Sequence, residues 1–150
     1  MEQIEANMEL INIREVKGVD SGEREIRKFK LIAMITIYHN NRCSKSRTAL
    51  EVLEDSGKDF EVVNYLQNTP SVEELKAIVK KLGIKAKDLV RKTESVYTEK
   101  YKGKDLSEEE WISAMVENPI LIERPIVVSG DKAVIGRPTE NIYTILSDQD

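Results

Sequence analysis

The feature that most constrains this chain is the run Ile35-Thr36-Ile37-Tyr38-His39-Asn40-Asn41-Arg42-Cys43-Ser44-Lys45-Ser46-Arg47. Its alternating β-branched and aromatic residues predict a strand, and the paired asparagines predict a turn. Beyond the turn, Ala49, Leu50 and Leu53 fall at helical spacing. A strand that turns directly into a helix commits the chain to an α/β design and sets its single cysteine, Cys43, at or beside the helix N-cap. Free amides and the positive end of the helix dipole favour a thiolate there, and they also suit a bound oxyanion. A lone cysteine is, taken by itself, more often a small buried hydrophobe. The turn, the helix start and the crowding of His39, Arg42, Lys45 and Arg47 mark this one as a candidate nucleophile. His39 either stabilises the thiolate or is a turn residue that needs only one hydrogen bond.

The pattern continues in α/β fashion. Ser56-Gly57 ends the first helix, and Phe60-Glu61-Val62-Val63-Asn64-Tyr65-Leu66 reads as a second strand. Strand, helix, strand at this spacing predicts a right-handed βαβ unit with parallel strands, whose sites form at the C-terminal strand ends where Cys43 falls. Thr69-Pro70-Ser71 opens a helix with an apolar stripe at Leu75, Ile78, Val79 and Leu82, stopped by Gly83. A short helix is expected over residues 86–92, another over 96–101, and a firmer one from a Ser107 and Glu110 capping box through Val116. These make a helical insertion on the α/β scaffold. Arg124-Pro125-Ile126-Val127-Val128, a turn at Ser129-Gly130-Asp131 and Lys132-Ala133-Val134-Ile135 predict a hairpin. Gly136-Arg137-Pro138 then breaks the sheet before a last helix through Ile142, Ile145 and Leu146. Residues 1–33 show no site and read as an N-terminal extension, docked or mobile, with short elements at Met8–Ile13 and Phe29–Ile32. The patterned domain spans 34–150, and Met34 is a candidate start.

Composition narrows the function. With 150 residues, 40% hydrophobic, 33% charged and a net charge of -4, the chain suits one soluble domain with a tail and is not a basic nucleic-acid binder. No apolar run approaches the roughly 20 residues that span a bilayer, and the acidic N-terminus lacks the basic start of a secretory signal, so a cytoplasmic location is expected. One cysteine cannot form an internal disulfide, and any redox chemistry must borrow a second thiol. Cys43 and His39 without further soft ligands do not make a metal site, so neither a metal nor a bound cofactor is expected.

Four motifs in order carry a resemblance. His-Asn-x-x-Cys-x-x-Ser-Arg at 39–47, Leu-Val-Arg-Lys at 89–92, Asn-Pro-Ile-Leu-Ile-x-Arg-Pro-Ile-Val at 118–127 and Gly-Arg-Pro at 136–138 together resemble the glutaredoxin-dependent arsenate reductase family. The resemblance covers residues 34 to about 147 and implies a thioredoxin-like core: a mixed sheet built as βαβ, then a β-hairpin and a helix. It implies that Cys43 attacks arsenate, that glutathione acts as co-substrate, and that glutaredoxin reduces the resulting mixed disulfide. It places the oxyanion-binding arginines at Arg91, Arg124 and Arg137, adds Ser46 and Arg47 to the substrate-binding set, and makes Pro125 a cis proline. Chemistry agrees with that assignment. A thiolate approaching a multiply charged tetrahedral oxyanion needs fixed positive charge, and guanidinium forks supply it while staying charged. Arg42, Ser44 and Lys45 depart from the small or neutral residues usual around that cysteine. Two other readings share the fold: a redox-sensitive interaction protein, such as a transcriptional regulator that binds RNA polymerase, and a thiol reductase with another substrate. Such regulators commonly carry Cys-x-x-Cys; Ser46 stands at the second position here, which weakens that reading.

Overall fold

The computed structural model describes residues 35–147. The expected N-terminal extension, with its two short elements, lies outside them. Strand β1 (Ile35–His39) leads through the Asn40-Asn41 turn into helix α1 (Ser44–Ser56), and β2 (Phe60–Asn64) returns beside β1. The two strands are parallel, with Ile35 opposite Phe60 and His39 opposite Asn64. This is the predicted βαβ unit. Gly57, at φ 73°, caps α1 in the left-handed region, where a side chain would be strained.

Helix α2 (Val72–Leu82) opens on a capping box between Ser71 and Glu74. The segment 86–92 departs from the expected helix. A single 3-10 turn covers Ala86–Leu89, and Val90 then forms an isolated antiparallel bridge with Ile122. Backbone bonds from Arg91 N to Leu121 O (2.7 Å) and from Glu123 N to Leu89 O (2.8 Å) fix that bridge. Long-range pairing thus overrides a local helical preference. Helices α3 (Ser95–Lys100) and α4 (Glu108–Glu117) follow, the second with the Ser107–Glu110 capping box predicted for it.

After a 3-10 turn at Pro119–Leu121, β3 (Ile126–Ser129) and β4 (Lys132–Ile135) form the hairpin, and α5 (Asn141–Ser147) closes the described chain. β3 runs antiparallel to β1 on the side away from β2, so the sheet order is β2-β1-β3-β4 and its sense is mixed. β1 is central.

Side-chain alternation splits the core into two layers. Ile35, Ile37 and Val127 face α1 and α5, meeting Ala49, Leu53, Ile142 and Ile145. Ile126, Tyr38 and Val128 face the other way, toward a larger cluster of Leu75, Ile78, Leu89, Ile112, Met115 and Leu121. Strand period two and helix period 3.6 thus agree on one sheet covered on both faces. The expected thioredoxin-like order, βαβ followed by a hairpin and a helix with a helical insertion between them, is the order found.

Candidate active site

The site begins with the turn. Asn40 is buried at the end of β1; its side-chain oxygen accepts the Arg42 N–H at 2.9 Å, and its carbonyl accepts the Cys43 N–H at 3.0 Å. This Asx-type turn delivers Cys43 to the N-cap of α1 with extended backbone (φ -98°, ψ 121°) and no side-chain cap of its own. The thiol therefore sits where the first free amides of the helix point. Ser46 is fully buried; its hydroxyl accepts the Asn40 N–H at 3.0 Å and shares a 2.7 Å hydrogen bond with His39 Nδ1. Both side chains thus knit the strand end to the helix. What Ser46 offers the sulfur is its backbone N–H.

Burial pushes the Cys43 thiol up, but the Ser46 N–H, a hydrogen bond from Arg124, the charge of Arg137 and the Lys45 N–H outweigh it, and the net shift is downward. Arg137 Nη2 donates to Sγ at 3.1 Å. The electropositive surroundings of a reactive cysteine are all present.

The three motif arginines converge through two carboxylates. One oxygen of Glu94 accepts from Arg91 Nε and Arg124 Nη1, each at 3.3 Å. One oxygen of Glu123 accepts from Arg91 Nη1 and from the backbone N–H of Arg124 at 3.2 Å, and forms an ion pair with Arg137 Nε at 3.2 Å. Arg137 Nε also donates to the Arg124 carbonyl at 2.6 Å. Three guanidiniums against two carboxylates leave one net positive charge in the cluster. Arg124 is the most enclosed of the three, with its side chain 11% exposed. Burial opposes its charge, while Tyr65, Cys43 and Glu94 reinforce it, so it is held more firmly protonated than a free arginine.

Two cis bonds, Arg124–Pro125 and Arg137–Pro138, lie beside the site. The first is the position expected to be cis; nothing in the sequence marks the second. Gly136 joins the two loops: its N–H donates to the Pro125 carbonyl at 2.9 Å, and a Cβ built on it would stand 2.9 Å from Pro125 Cγ and 3.2 Å from Ile142 Cδ1. Only glycine lets the segment carrying Arg137 approach so closely.

Arg47, expected in the substrate-binding set, lies at the turn. Its Nη1 donates to the Asn41 carbonyl at 2.8 Å on the exposed side of the turn. Glu94 and Glu123 carry no motif signal of their own, although three converging arginines require counter-charges and Glu123 lies beside Arg124 in its motif. Tyr65 reads in the sequence only as part of a strand. Beside the turn a cavity of about 560 Å³ opens, lined in part by Asn40, Arg42, Asn64, Gln67, Glu94 and Arg124. Among the described residues no cluster of His, Cys, Asp and Glu could hold a metal ion, and no helix is long and apolar enough to cross a membrane.

Comparison with known proteins places this geometry in context. Residues 38–145 match the model of the ArsC family. Uncharacterized protein YfgD of Escherichia coli is 46% identical over 114 residues, covering 75% of this chain and 96% of that protein. An arsenate reductase of Haemophilus influenzae is 48% identical over 117 residues, covering 75% and 98%. Among solved structures, an arsenate reductase from Vibrio cholerae superposes with a TM-score of 0.72 at 43% identity, covering 75% of this chain and 98% of that one.

Proposed function

The chain belongs to the ArsC family, and from that membership we propose that it reduces arsenate to arsenite, with Cys43 as nucleophile and Arg91, Arg124 and Arg137 as oxyanion ligands. The observation that carries the reading is the 3.1 Å hydrogen bond from Arg137 to the Cys43 sulfur at a helix N-cap. It joins the thiolate's stabiliser and the anion's ligand in one side chain.

In the first step the Cys43 thiolate attacks arsenic, a sulfur–arsenic bond forms, and one arsenate oxygen departs as water after taking up protons; arsenic stays pentavalent. The guanidiniums offset the repulsion between thiolate and oxyanion and bind the charge that remains on the adduct. Glutathione is the second thiol. Its sulfur attacks Cys43 Sγ, the sulfur–arsenic bond breaks, and the electron pair stays on arsenic, which leaves as arsenite. Two sulfurs have been oxidised to a mixed disulfide and arsenic has gained two electrons. Glutaredoxin then reduces the disulfide and frees Cys43. With no second cysteine in the sequence, this outside supply is required, and a cytoplasmic glutathione pool meets that need.

The test is arsenate-dependent NADPH oxidation in an assay coupled through glutathione, glutaredoxin and glutathione reductase. Turnover that disappears in Cys43→Ser supports the reading; absence of turnover, or turnover unchanged by that substitution, overturns it.

A further inference from the structure

Two buried polar atoms near the sulfur have no hydrogen-bond partner: the Tyr65 hydroxyl and Nε of Arg124. Tyr65 follows the last residue of β2 and is 1% exposed, so its hydroxyl cannot turn to solvent. An unmet hydroxyl at that depth is costly. Its surroundings explain why it is unmet. Asn40 and the Arg124 guanidinium both lie close enough to act on the phenol, and both act on it as hydrogen-bond donors would. The Asn40 side-chain oxygen accepts the Arg42 N–H, and its amide nitrogen is the group that can donate toward Tyr65. Asn40 and Arg124 both act as donors, so neither answers the hydroxyl's own proton. The Cys43 charge acts on the same group, so this cluster of unanswered donors borders the sulfur.

We propose that the Tyr65 hydroxyl is a substrate-binding donor: it and Arg124 Nε hydrogen-bond the oxyanion that Cys43 attacks, so the missing acceptor is an oxygen of the anion itself. The proposal rests on reading the Cys43 pocket as an oxyanion site and adds an uncharged ligand to its arginines. Burial pushes the phenol up and the Cys43 charge adds to that, against the lowering effect of Arg124 and Asn40, so the net shift is upward and the group stays a neutral donor at physiological pH. A neutral donor strengthens binding without adding a charge that must be desolvated or countered.

An orphaned donor has a signature that a structural hydrogen bond lacks. Tyr65→Phe removes only the hydroxyl. The melting temperature of each protein is measured without anion and with saturating sodium arsenate, in the absence of any thiol reductant. The expected result is a Tyr65→Phe protein no less stable than wild type without arsenate, a smaller arsenate-induced rise in the variant, and an arsenate dissociation constant weakened by about tenfold or more, as for a hydrogen bond to a charged group. Equal rises and equal affinities in the two proteins overturn the proposal alone. A variant that is markedly less stable without anion, or that does not fold, also overturns it, because the hydroxyl then has a structural partner. No rise in wild type overturns the oxyanion reading of the pocket and this proposal with it.

Discussion

Arg137 donates to the Cys43 sulfur at 3.1 Å across a sequence separation of 94 residues. The contact ties Cys43, at the start of the fold, to a loop near its end. It also makes the ionisation of the thiol a property of the whole domain.

The first prediction concerns pH. Because the folded thiol titrates below its ordinary range, the rate of Cys43 alkylation by iodoacetamide rises with a midpoint below that of a free thiol, and Arg137→Ala moves the midpoint upward. The same shift makes thiolate formation stabilising. That contribution is fully present above the unfolded thiol pKa and is lost as pH falls through the lower folded value. Relative to Cys43→Ser, the melting temperature of wild type therefore climbs across that window. A Cys43 midpoint in the free-thiol range refutes the assignment.

The second concerns the arginines. Arg124 reaches the Cys43 sulfur, Glu94 and the Ile120 carbonyl from a nearly enclosed position. Arg124→Ala is expected to lower kcat/KM for arsenate by about 10²-fold, the scale of losing a charge-assisted donor in an enclosed site. Arg124→Lys recovers little, since one ammonium cannot reproduce a planar fork. Steady-state kinetics with folded variants, checked by circular dichroism, decides the matter.

The third isolates Glu94. Its carboxylate competes with an incoming anion for Arg91 and Arg124. Glu94→Gln is expected to tighten binding of sulfate or arsenate by about two- to five-fold, the worth of a partly exposed ion pair. Looser binding, measured by calorimetry, would instead make the carboxylate a positioner of the arginines.

The fourth concerns Gly136. Placing a methyl group 2.9 Å from Pro125 Cγ forces the Arg137 loop away from the Arg124–Pro125 loop. Gly136→Ala should cost about 1–3 kcal/mol of stability, the usual scale for overpacking, and should lower kcat more than it raises KM. Thermal melts and initial rates measure both.

Much of this was legible locally. The strand, turn and helix from Ile35 to Arg47 follow from side-chain alternation, paired asparagines and helical spacing, and they alone put Cys43 at the N-cap. The hairpin is written in Val127, Val128, Gly130 and Val134. Arg91 shows where local reading stops. Residues 86–92 carry a helical composition, yet Val90 pairs with Ile122, and the two backbone bonds across that bridge take the strand geometry instead. Glu94 and Glu123 were illegible for a related reason. Each reads as a solvated charge until arginines from elsewhere in the chain arrive beside it, and no periodicity encodes that arrival. Tyr65 reads as the penultimate residue of a strand over 60–66, and the strand stops at Asn64.

The paired carboxylates have a consequence for selectivity. An anion reaching this pocket meets guanidiniums that are already partly engaged: Glu94 and Glu123 hold N–H groups of Arg91, Arg124 and Arg137, and Arg124 Nε is left open. The pocket works as an ion exchanger whose resting counter-ions are covalently tethered at high local concentration. A tetrahedral dianion, which offers several acceptor oxygens at once, is better matched to that exchange than a spherical monovalent ion, which offers no pair of oxygens to a guanidinium fork.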